Sequence, residues 1–148
     1  MIVALNLPIL TLKAASIETV SPTRTSWEKI TILHQEANRP KSLIMPSRYS
    51  RHYYDIYSIG HSKYKDLAIN DLDLLRKVAM FKKKFYPRNW AKYDEAYPNT
   101  LKLLPPSYRY PALKADYLSM KEMIYKDAPS FEKIMDYLKK LEEEINSR

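Results

Sequence analysis

Apolar residues recur along most of the chain at intervals of three and four, the spacing of one helical face. Ser21 is a good N-cap, and Pro22 suits the first helical position, where a missing N–H costs nothing. Trp27, Ile30, Leu33, His34 and Ala37 then make a stripe, with Lys29 at its edge in line with Thr25 and Leu33. Thr25 to Glu28 offers a competing cap. Asn38, Arg39 and Pro40 end this helix. A second helix is predicted from Ser47 to Ile59, with Arg48, Arg51, Asp55 and Ser58 on one face and Gly60 as the glycine that stops it. From His61 to Tyr86 the helical pattern continues, broken near Asn70 and Asp71, with Leu67, Leu74, Leu75, Val78, Phe81 and Phe85 as its buried side. Lys82, Lys83 and Lys84 project around the last turn, where the helix dipole favours cations. Pro87, Pro98, Pro105 and Pro106 mark a packed connector with one short helix at Trp90 to Ala96 and an extended LKLLPP. A helix restarting at Ser107 to Pro111 carries Leu113, Tyr117, Met120 and Ile124. Ser130 caps the last one, which carries Phe131, Ile134, Leu138, Leu141 and Ile145, and these two are expected to pair as an antiparallel hairpin. Ile2 to Val20 reads as one or two short strands at the edge of a sheet. The expected fold is mainly α: a bundle of about five to six helices in residues 21–148, with a short N-terminal β remnant of an α/β core in residues 1–20.

A length of 148 residues suits one domain, and 45% hydrophobic with 28% charged residues is enough to bury a core. The lack of cysteine excludes disulfides and thiolate metal sites, and leaves a cytoplasmic location as the default expectation. The apolar opening contains Asn6 and Pro8, has no basic region before it and is too short to span a bilayer, so neither a membrane nor an export signal is expected. A net charge of +8 favours anionic partners such as nucleotides, RNA or an acidic protein. With one glycine in the chain, a P-loop, a dinucleotide fingerprint and a Gly-Ser turn ahead of paired acids are all absent.

Asp71 and Asp73 resemble a metal-binding acidic pair, but they open a leucine-rich helix, where acids are favoured for the dipole alone. His34, His52 and His61 have no ligand-like spacing with carboxylates, and no metal site is assigned. Trp27, Trp90 and thirteen tyrosines are core and rim residues, with base stacking as the alternative. Lys82, Lys83, Lys84 and Arg88 form a solvated face or a contact to RNA phosphates. Arg51 and Asp55 are either an exposed pair one turn apart or part of a site. Lys29 and Asp55 stand on consecutive helices joined by a loop short enough to make them antiparallel neighbours, so their charged ends are expected to converge.

The strings SPTRTSWEKITILHQEANRP, PSRYSRHYYDIY, FKKKFYPRNWAKYDEA, TLKLLPP, LKADYLSM, MIY and PSFEKIMDYLKKLEEEIN, in this order from about Val20 to the end, resemble the C-terminal half of the AbiEii/AbiGii toxin family of nucleotidyltransferases. The resemblance implies a polymerase-β-like catalytic core, an NTP substrate with Mg2+, and the toxin role in a toxin–antitoxin or abortive-infection pair. Of the family's four motifs, the later lysine and aspartate find counterparts in Lys29 of SWEK and Asp55 of RHYYD, which implies that both are catalytic. The resemblance further implies that Lys29 contacts the triphosphate, with Arg51 as a weaker candidate for a phosphate contact. The Gly-rich turn with its acidic pair and the second lysine motif are expected before Met1, so that residues 1–20 are edge strands of a truncated core and the chain alone is inactive. Thr23 stands where the family commonly carries an acid. The implied reaction is nucleotidyl transfer from an NTP to an acceptor such as RNA, with an antitoxin protein as a partner. The alternatives are a non-catalytic basic helical module that binds RNA or an antitoxin, and an inactive truncated product.

Overall fold

The structure is a computed structural model describing residues 21–124 and 127–148, so the strands expected in residues 1–20 lie outside the described residues. Among those residues it is all helix and connector, with six α-helices. The first, α1 (Pro22–Ala37), begins as its sequence dictates: the Ser21 hydroxyl accepts the Arg24 N–H at 3.2 Å and Pro22 opens the first turn. Its Trp27, Ile30, Leu33 and His34 stripe is fully buried, and α2 (Ser50–Gly60), α3 (Lys65–Asn70) and α4 (Leu72–Phe85) all pack on it. Asp71 ends α3 and caps α4 by accepting the Leu74 N–H at 3.1 Å, which is the expected break.

The connector is pinned rather than loose. It makes two 3₁₀ turns, Asn89–Ala91 and Tyr93–Glu95, on either side of Lys92 in the left-handed region (φ 53°), where the sequence suggests one short helix. His34 explains the anchorage. Its Nδ1 accepts the Lys102 N–H at 3.0 Å, so its Nε2 carries the proton and donates to the Lys92 carbonyl at 2.9 Å. A second tie runs from the Tyr93 hydroxyl to Gln35 (2.6 Å), from Gln35 to Glu36 (2.9 Å), and from Glu36 to Arg39, whose guanidinium lies over Trp90. The extended LKLLPP segment is held against α6 (Phe131–Asn146): Glu142 accepts the Leu103 and Leu104 N–H groups, and Asn146 bonds both backbone groups of Leu101.

A 3₁₀ turn, Ser107–Arg109, leads into α5 (Tyr110–Ile124), where Leu113, Tyr117 and Met120 are buried; the Ile124 side chain lies outside the described residues. Ser130 caps α6, whose Phe131, Ile134, Leu138, Leu141 and Ile145 are all in the core. The expected neighbours α5 and α6 touch at the start of α6. Phe131 at the start of α6 meets Tyr110 and Tyr117, Lys114 pairs with Glu132 at 2.6 Å, and α2 packs against both helices.

Three further expectations are corrected. The second helix starts at Ser50, not Ser47, because Arg48 adopts φ 66° and the carboxylate of Asp116 takes the Arg48 and Ser50 N–H groups at 2.8 and 3.0 Å. Arg48 therefore does not share the face of Arg51 and Asp55. Leu67, Phe81 and Phe85 are exposed, since the core side of α3 is set by Ala68 and Ile69 and that of α4 by Leu75, Val78 and Ala79. Gly60 is the last residue of α2 without a positive φ, so it is no left-handed stop. Its hydrogen leaves room for the Tyr137 ring, into whose hydroxyl any Cβ at position 60 would run. Gly60→Ala, which in an open helix adds up to about 1 kcal/mol, is therefore expected to lower the melting temperature. In a Tyr137→Leu background the same change should be neutral or stabilising. Circular dichroism melts of the four proteins check this, and a rise in the parent background refutes it.

Candidate functional site

The polar groups converge where α1, α2 and α4 meet. Lys29 leaves the edge of the α1 stripe and meets two acceptors one turn apart on α2, Asp55 Oδ2 at 3.1 Å and His52 Nδ1 at 3.3 Å. A lysine ammonium only donates, so His52 Nδ1 accepts and the ring proton is on Nε2. Two of the three N–H bonds of Lys29 are thus directed by α2, leaving one for a third partner. The lysine and aspartate side chains keep 22% and 32% of their surface in contact with solvent, so the pair is reachable.

His52 itself is buried, with its ring edge-on to Tyr49 at 4.8 Å. Burial, then the charges of Lys29, Arg51 and Lys82, push its pKa down to about 4. An imidazole whose folded pKa lies below the unfolded value near 6.5 is stabilising to the fold only while neutral. Its contribution is intact above pH 6.5 and is lost as pH falls toward 4, by up to about 3 kcal/mol. His52→Gln, which keeps an acceptor for Lys29, is expected to flatten the stability loss between pH 6.5 and 4 in urea titrations; an unchanged acid limb contradicts this assignment.

Arg51 is exposed on α2 beside this pair. The lysine row of α4 divides. Lys82 turns inward and donates to the Glu28 carbonyl at 2.8 Å, whereas Lys83 forks onto both oxygens of Asp94 at 2.9 Å and Lys84 lies in solvent over Phe85. Arg88 is exposed and stacks over Trp90. Lys29, Arg51 and Lys82 thus all act on His52, with Asp55 and Glu28 as the acids beside them, and the site favours an anion.

Sequence reasoning did not single out His52 and did not separate Lys82 from its neighbours. Both carry a periodic signal: His52 lies three residues before Asp55, and Lys82 stands at i+7 of the stripe Leu75, Val78, Ala79. Asp71 and Asp73 act at the start of α4, Asp71 as its cap and Asp73 paired with Lys77 at 3.2 Å. Among the described residues no group of three or more His, Asp or Glu side chains could hold a metal ion. No helix among them is long and apolar enough to cross a membrane.

Comparison with known families gives one result. The family model described as the nucleotidyl transferase AbiEii toxin, of type IV toxin–antitoxin systems, matches residues 3–139. The chain belongs to the AbiEii family. The match begins earlier than the resemblance from Val20 onward, and it supports a general role as a toxin–antitoxin nucleotidyltransferase. No curated protein and no solved structure matches the chain. The AbiEii family works with an NTP and a metal ion; the described residues do not fit the metal, since they offer no group of three ligands and the two acids beside the cluster, Asp55 and Glu28, face Lys29 and Arg24.

Proposed function

We propose that this AbiEii chain contributes the lysine–aspartate half of a nucleotidyltransferase centre that moves a nucleotidyl group from an NTP to RNA, and that residues 21–148 are its C-terminal helical domain. In such a transfer an acceptor oxygen attacks the α-phosphorus, the bond from that phosphorus to the β-phosphate oxygen breaks, and pyrophosphate leaves. Lys29 directs its remaining N–H at the triphosphate as a fixed positive charge. Asp55 and His52 hold it in place, so little reorganisation is needed when the substrate arrives. Arg51 offers a second donor from the same face of α2. Lys83, Lys84 and Arg88 lie on the outer surface, where they contact acceptor RNA phosphates without reading sequence. A cognate antitoxin is the protein partner, and an acidic surface would suit it.

The observation that carries this reading is the Lys29 ammonium fixed between Asp55 and His52 at 3.1 and 3.3 Å on a reachable, net-positive surface. The test is transfer of α-labelled NTP to total RNA with Mg2+ by a protein in which the Gly-rich turn and acidic pair are joined ahead of this chain. The 148-residue chain alone is expected to leave the RNA unlabelled, because its sequence carries no such acidic pair. Robust metal-dependent labelling by that chain alone would contradict the assignment of the metal-binding half elsewhere.

A further inference from the structure

Lys82 is the cation on α4 that faces the protein. It extends the buried stripe of Leu75, Val78 and Ala79, and its Nζ donates to the carbonyl of Glu28, the residue immediately before Lys29. One neutral carbonyl satisfies one of its three N–H bonds, and no described carboxylate is within ion-pair distance of its Nζ. Of the acids around the site, Asp55 pairs with Lys29, and the Glu28 carboxylate, which also acts on Lys82, lies 3.9 Å from Arg24. A second half-buried ammonium beside Lys29 without an ion-paired carboxylate keeps two N–H bonds for an anion that spans the two. Burial brings the Lys82 pKa down to about 8; of the charges around it Glu28 holds it up, and Lys29 pushes it down by less. A lysine acting only as a staple between α1 and α4 would not need a position next to another ammonium.

We propose that Lys82 is a second phosphate-contacting lysine of this site, reaching from α4 to the non-bridging oxygens of a nucleotide triphosphate that Lys29 holds from α1. This assignment rests on the reading of Lys29 and Asp55 given above. Binding an anion restores the ammonium form, so above its free pKa near 8 association must take up a proton. Affinity is therefore full below that pH and falls above it.

Titration calorimetry of the full 148-residue chain with inorganic tripolyphosphate tests this, accompanied by melting curves. The parent is expected to bind. Lys82→Met, which keeps the aliphatic stem, is expected to bind about tenfold or more weakly, Lys82→Arg within about threefold of the parent, and Lys77→Met like the parent, since exposed Lys77 on the same helix pairs with Asp73. Between pH 7.5 and 9 the parent loses affinity and Lys82→Arg does not. If Lys82→Met binds like the parent while Lys29→Met does not, Lys82 is a staple and the Lys29 reading stands. If the parent fails to bind, both are rejected. A fall of affinity with pH that persists in Lys82→Arg also overturns the assignment.

Discussion

Lys29→Ala and Asp55→Ala are each expected to lower nucleotidyl transfer by about 30- to 1000-fold, the equivalent of about 2–4 kcal/mol, if each removes one preorganised charge from the transition state. The measurement is incorporation of labelled nucleotide by the protein in which a Gly-rich turn and an acidic pair are joined ahead of this chain. The two changes act on one unit, because Asp55 works through the Lys29 ammonium, so the double variant should be hardly slower than either single one. Melting temperatures are expected to move little, since a partly exposed pair contributes about 1 kcal/mol or less to stability. Variants that melt well below the parent while the folded fraction keeps full activity would make Lys29–Asp55 a structural pair.

The largest effect on stability is expected at Glu36, which is fully buried and grips Arg39 through contacts of 2.7 and 3.0 Å. Glu36→Leu strands the buried guanidinium of Arg39 and frees the Gln35 amide, at a cost of about 3–5 kcal/mol. In a chain of this size that corresponds to a melting temperature lower by about 10 °C. Replacing both members is different in kind. Glu36→Leu with Arg39→Met leaves no buried charge and is expected to melt closer to the parent than Glu36→Leu alone, although contacts of Arg39 with Trp90 and the Ile44 carbonyl are lost. Thermal melts of the three proteins decide it; a double variant that melts lower than the single one would mean that the Arg39 contacts outweigh the stranded charge.

Local signals made much of this fold legible. Ser21, Asp71 and Ser130 each cap the helix that follows by accepting an N–H three residues on, and these starts need nothing from elsewhere in the chain. The stripes of α1 and α6 were equally plain, because nearly every apolar residue at the repeating spacing is in the core. In α4 the same rule failed: Phe81 and Phe85 are apolar yet exposed, while Lys82, a charge, takes the inward position that follows Val78 and Ala79. Periodicity identifies a face but not which of two competing faces the neighbours cover. The convergence of Lys29 and Asp55 was legible from a short loop between two helices, whereas His52 was hidden because its role depends on where a lysine 23 residues earlier points. Gly60 was misread because the reason for it, Tyr137, lies on another helix.

Asp116 ties the site to a distant part of the chain. The helix that carries His52, Asp55 and Arg51 has no side-chain cap of its own; its first N–H, that of Ser50, is bonded by a carboxylate 66 residues further along, on α5. An early stretch containing α1 and α2 holds every residue of the lysine–aspartate pair but not the group that secures the start of α2. The start of the helix that carries the pair is therefore secured by a non-local contact with α5. A chain interrupted before Asp116 would contain both charges and still lack the carboxylate that bonds the first N–H of the helix carrying Asp55.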